Sequence, residues 1–132
     1  MSFLPEDDSD YLERKMFVYE LKNGPNAIIF PEFAVPPNIC TQVADKIEPL
    51  STCQLAILIP DGYATTKLDS FYTMPNLVRA DGAQPNCATS LNEFWGKQWQ
   101  FWSRHLDASD WVVGIDSLET YLLYVHAELK KA

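Results

Sequence analysis

The sequence predicts an α+β domain, an antiparallel sheet with a helix laid across one face. Three observations carry this. The run "C-Q-L-A-I-L-I-P" at residues 53–60 is apolar on both faces, the pattern of a central strand buried above and below. "N-G-P-N" at 23–26 supplies turn chemistry between two β-rich runs. Near the end, Ile115, Leu118, Leu122, Val125 and Leu129 fall on one helical stripe. Strands followed by a helix that can cover them is the α+β arrangement.

The elements follow in order. "L-P-E-D-D-S-D-Y-L-E-R-K" reads as a short helix, with Pro5 at its first position, acids in its first turn and Tyr11 and Leu12 as an apolar edge. Residues 15–33 read as two strands around the 23–26 turn, with Pro31, Pro36 and Pro37 then interrupting pairing, at a sheet edge or in extended loop. The 53–60 strand comes next, and Pro60 to Tyr63 form a turn. A weaker strand at Lys67–Thr73 completes a four-stranded antiparallel meander. From Met74 to Asn92 the chain has little periodicity and many Pro, Asn, Gly and Asp residues, which predicts a long loop; a compact domain rarely keeps one without a use. Phe94 to Trp102 forms an aromatic segment. "D-S-L-E" predicts a capping box with Asp116 at the cap and Glu119 reaching back, and Lys130 and Lys131 suit the helix C-terminus. No repeat and no boundary divides residues 1–132, so a single domain is expected.

Composition narrows the function. Ten Lys+Arg against eighteen Asp+Glu give a net charge of −8, which opposes the positive footprint a nucleic-acid binder needs. Cys40, Cys53 and Cys87 are odd in number and far apart, so neither a disulfide framework nor a zinc site is expected, and a reducing cytoplasm fits. The start lacks the charged and apolar regions of a signal peptide, and no apolar run approaches the ~20 residues of a membrane span. No Gly-rich phosphate loop or metal-ligand spacing is present, so no cofactor is expected.

Three stretches then carry a resemblance: "L-P-E-D-D-S-D-Y-L", "L-A-I-L-I-P-D-G-Y", and "G-K-Q-W-Q-F-W-S-R-H" with the later "G-I-D-S-L-E-T-Y-L". Together they resemble the ubiquitin-conjugating enzyme superfamily, and within it the bacterial group called family E, over nearly the whole chain. The resemblance implies a ubiquitin-conjugating-enzyme-like fold and acyl transfer of a ubiquitin-like protein. It implies as partners that protein, its activating enzyme and a JAB-type protease of the same system. Two features depart from the superfamily pattern. Its His-Pro-Asn tripeptide is represented by "M-P-N" at 74–76 and "Q-P-N-C" at 84–87, both without histidine. The stretch after Gly96 runs Lys97, Gln98, Trp99, with no cysteine.

Two candidates carry the chemistry. In a strand Ser103 and His105 share a face, in a turn they come closer, and either way they pair a hydroxyl with a base; Arg104 between them suits stabilising an oxyanion or orienting a carboxylate. The same triplet also suits a plain strand end. Cys87, in a polar loop, offers an accessible thiol, although no basic residue is near it in sequence. Cys40, Cys53 and His126 read as structural or surface residues. The aromatics Trp95, Trp99, Phe101, Trp102 and Trp111 read first as packing, then as a docking surface, and last as a sugar-stacking platform, which requires exposed indoles. Two functions stay open: an acyl-transfer component using Ser103, Arg104 and His105 through an oxyester, or a catalytically inactive adaptor of the same fold.

Overall fold

A computed structural model describes residues 3–63, 66–85, 87–104, 111–112 and 115–132. Helix α1 (Glu6–Arg14) begins behind Pro5, which stands at the N-cap, one place earlier than the sequence implies. Glu6, Asp7 and Asp8 occupy its first turn, and only Asp8 and Leu12 are buried.

The predicted meander is present as β1 (Glu20–Lys22), β2 (Ala27–Ala34), β5 (Thr52–Leu58) and β6 (Phe71–Met74), but it forms two-thirds of a larger sheet. That sheet has six strands in the order β1-β2-β5-β6-β9-β8, with β8 (Ser90–Phe94) and β9 (Lys97–Trp102) as its far hairpin. The aromatic segment is therefore paired strand. β5 is central, antiparallel to β2 on one side and β6 on the other, as its two-sided apolar run required. β6 starts later than expected because Ser70 takes a left-handed backbone, φ 54°, which no strand continues through. Met16, at φ 58°, likewise keeps residues 16–19 out of β1.

The extended segment after β2 is instead a second, three-stranded sheet, β4-β3-β7, made from β3 (Ile39–Val43), β4 (Lys46–Pro49) and β7 (Leu77–Arg79). Pro31 does not end β2; the register shifts between Phe30 and Phe33 and the strand continues to Ala34. The expected long loop is broken up by β7 and by the start of β8.

Helix α2 (Leu118–Lys131) covers one face of the large sheet. Its Tyr121, Leu122, Val125 and Leu129 pack with Ile28, Phe30, Leu55, Ile57, Phe71 and Trp102 in one core. Two details of the predicted helix change. Ser117, not Asp116, is the cap, with Thr120 as its reciprocal partner, while the Asp116 carboxylate accepts from the Val112 N–H at 2.6 Å. Ile115 lies before the helix and is 73% exposed, and Tyr121 takes a place in the buried stripe. The N–H of Leu118 donates to the buried Asp8 carboxylate at 3.3 Å, and the Tyr63 hydroxyl donates to its other oxygen at 2.6 Å. Burial outweighs both bonds and pushes the Asp8 carboxyl above the usual carboxylate range.

The opposite face of the sheet carries its own cluster of Ile29, Ala56, Tyr72 and Trp99, shielded by Leu58, Met74, Phe94, Trp95 and Phe101. Trp95, in the β8–β9 turn, meets Trp99 edge-on at 6.0 Å and donates its indole N–H to the Asn23 carbonyl in the β1–β2 turn at 3.0 Å. Hairpins from the two edges of the sheet thus touch over this face. Trp99, Trp102 and Trp111 are buried, so they are packing and cannot form a sugar platform. No described helix is long and apolar enough to cross a membrane.

Candidate functional site

The candidate site is assembled by a residue outside the candidate catalytic motifs of the sequence, Gln100. It is 1% exposed, in the middle of β9, on the same face as Trp102. A buried amide has two donors and an acceptor to satisfy. Gln100 donates to the carbonyls of Leu77 at 3.0 Å and Ala88 at 2.9 Å. It accepts from the Leu77 N–H at 2.7 Å and the Thr73 hydroxyl at 3.0 Å. Thr73 in turn accepts from the Trp102 indole N–H at 2.9 Å. The side chain behaves as a short piece of strand, pinning β7 and the segment around Ala88 to β9.

That pinning brings two candidates together. The Ser103 N–H donates to the Cys87 carbonyl at 3.0 Å, extending β9 one step onto the loop. Cys87 is exposed and held in a left-handed conformation at φ 56°, uncommon for a residue with a side chain. Cys40 and Cys53 are buried, and burial pushes the Cys53 thiol up to about 12, which keeps it protonated and unreactive.

Arg104 is fixed from several sides. Its backbone N–H and carbonyl bond to Ser70, the carbonyl accepting from the Ser70 N–H at 2.8 Å. Ser70 is itself tied to α2, since its carbonyl accepts from the Tyr121 hydroxyl at 2.6 Å. The guanidinium lies over the Trp102 ring, 5.1 Å from its centroid. Nε pairs with Glu128 of α2 at 2.9 Å, and one terminal nitrogen donates to the Ser103 carbonyl at 3.0 Å.

Cys87, Ser103 and Arg104 line one cavity of about 380 Å³, with Arg79, Glu128 and Lys131. Three cationic side chains, Arg79, Arg104 and Lys131, thus line the same cavity as Cys87, although none is near it in sequence. His105, the expected base, lies outside the described residues. A larger groove of about 710 Å³ lies by the β1–β2 turn and the segment after β5, and neither a thiol nor a serine lines it. Among the described residues, no three His, Cys, Asp or Glu side chains gather as metal ligands.

A helix-backed antiparallel sheet, with the Cys87 segment bonded to the exit of its penultimate strand, fits the E2-like fold class. The sequence matches prokaryotic E2 family E over residues 4–132, and the chain belongs to that family. No curated protein and no solved structure matched the chain.

Proposed function

We propose that the protein is the acyl-carrying component of a ubiquitin-like conjugation system. It receives an activated ubiquitin-like protein from an activating enzyme and hands it on. The observation that carries this reading is the single cavity shared by Cys87, Ser103 and Arg104. A covalent carrier needs a reachable nucleophile beside a fixed positive group.

Of the two nucleophiles, the exposed Cys87 is the better placed for the first transfer. A thiolate attacks acyl carbons far more readily than an unassisted hydroxyl. Its sulfur bonds to the acyl carbon of the activated modifier, and the activating enzyme's sulfur leaves with the electron pair. Arg104 faces the oxyanion of the tetrahedral intermediate. An amine then displaces the Cys87 sulfur, giving an amide and regenerating the thiol. Ser103 is the second acceptor, and an ester there would be the serine route that the Ser103-Arg104-His105 triplet suggested.

Intact mass after incubation with a ubiquitin-like protein, its activating enzyme and ATP tests this. An adduct removed by thiol reductant and absent in Cys87→Ala is the expected result. An adduct that resists reductant, yields to mild base and is absent in Ser103→Ala moves the site to Ser103. Tight binding to either partner without any adduct makes the protein an adaptor and overturns the carrier reading.

A further inference from the structure

We propose that Glu128 is a positioning residue for this site, acting through Arg104; the proposal rests on the acyl-transfer reading. Glu128 is on α2, far in sequence from β9, and its position reads as an ordinary helix surface. Yet its side chain is only 13% exposed, the same as that of Arg104. One carboxylate oxygen holds Arg104 Nε at 2.9 Å, and the other holds Lys131 Nζ at 2.9 Å.

The geometry separates the two partners. Lys131 is 76% exposed, on the same helix turn, so its pairing is a surface contact worth little. The Arg104 pair crosses from helix to sheet and is largely shielded. It also decides what the guanidinium can do. Nε is committed to Glu128, one terminal N–H to the Ser103 carbonyl, and the plane to Trp102. The guanidinium has five N–H donors in a rigid fork, so fixing these restricts how the remaining donors meet the cavity that Arg104 and Cys87 both line. Without Glu128 the side chain keeps its charge and loses its aim. An oxyanion donor works through preorganisation, so misorientation lowers the rate without removing any group that touches the acyl carbon.

The titration-independent test is a mutant cycle with a structural readout. In Glu128→Gln the single-turnover rate of adduct formation should fall about tenfold, with little change in the concentration of donor that gives half-maximal rate. Arg104→Ala should lower the rate at least as much. The double variant should match Arg104→Ala within about twofold, because Glu128 acts only through Arg104. In ¹⁵N spectra, the Arg104 Nε–H signal, one of three arginine signals and assigned by its loss in Arg104→Lys, should be protected from exchange in the native protein and lose that protection in Glu128→Gln. Additive losses in the double variant, or an unchanged rate in Glu128→Gln, overturn the proposal. So does a Nε–H signal that Glu128→Gln leaves protected. That last result is obtained even where no adduct forms, so failure of the clamp and failure of the acyl-transfer reading are told apart.

Discussion

The two faces of β9 carry tryptophans three positions apart, and they are held in different ways. Trp102 faces the helix, stacks on Phe71 at 5.4 Å and donates its indole N–H into the Thr73–Gln100 chain. Trp99 faces the other way, packs among Tyr72, Ile29 and Ala56, and its buried Nε1 has no hydrogen-bond partner among the described residues. Both indoles bury a large area, so both stabilise the sheet. Only the helix-covered face converts that burial into position. Its polar atoms are bonded in series from Trp102 to Ala88, and that series ends one residue from Cys87. Apolar area is non-directional, whereas a satisfied buried network specifies one arrangement.

Removing the centre of the network should break this contrast most severely. Gln100→Leu keeps the volume but strands the Leu77 N–H and the carbonyls of Leu77 and Ala88. Each buried group left unpaired costs about 1–3 kcal/mol, so a loss of roughly 3–5 kcal/mol is expected. Urea denaturation measures it, and adduct formation should be lost even at temperatures where the variant remains folded. An intact site in a folded Gln100→Leu protein would mean that the loop does not need the amide.

The two tryptophans then give a matched pair. Trp102→Phe should cost about 2–3 kcal/mol, from lost area and from the bond to Thr73. Trp99→Phe should cost about 1–2 kcal/mol, because the atom it removes was an unpaired donor. Equal losses by denaturation would show that the bond to Thr73 contributes nothing beyond packing.

The smallest expected effect concerns the charged end of the same covered face. The folded Asp8 carboxyl titrates above its ordinary 3.8, so the protonated form is favoured by folding. Its contribution is fully present below the unfolded pKa and is lost as pH rises through the folded one. The difference in urea midpoint between the native protein and Asp8→Asn should therefore shift in favour of Asp8→Asn as pH rises from about 4 toward neutrality. A difference that is flat with pH would mean that the hydrogen bonds from Tyr63 and Leu118 offset burial fully.

Much of the frame was legible because periodicity reports burial. β5, α1 and the apolar stripe of α2 each announce which residues face the core, and the meander follows from turn chemistry at 23–26. β3 and β4 were hidden because their exposed residues, from Gln42 through Pro49, give no alternation to read. The cap moved by one residue, a shift within the reach of competing Asp116 and Ser117 side chains. The site was half legible. Ser103, Arg104 and Cys87 could be named from residue type, but their meeting depends on Gln100, and a glutamine between aromatic residues reads as the solvent side of a strand. Glu128 was illegible for a related reason. Its partner is on another element, and helical spacing shows only the neighbours on its own.

Asn38 has a consequence of another kind. Its amide, from the segment just before β3, reaches the carbonyls of Leu129 at 2.9 Å and Ala132 at 3.2 Å in the last turn of α2. Those carbonyls have no partner within a helix, and helix ends ordinarily fray on fast timescales. This end carries Glu128 and Lys131, so fraying would blur one wall of the cavity. By closing the turn from outside, Asn38 makes the small second sheet a brake on local opening. Backbone amide exchange in the terminal turn of α2 thus becomes a property of the hairpin that grips it.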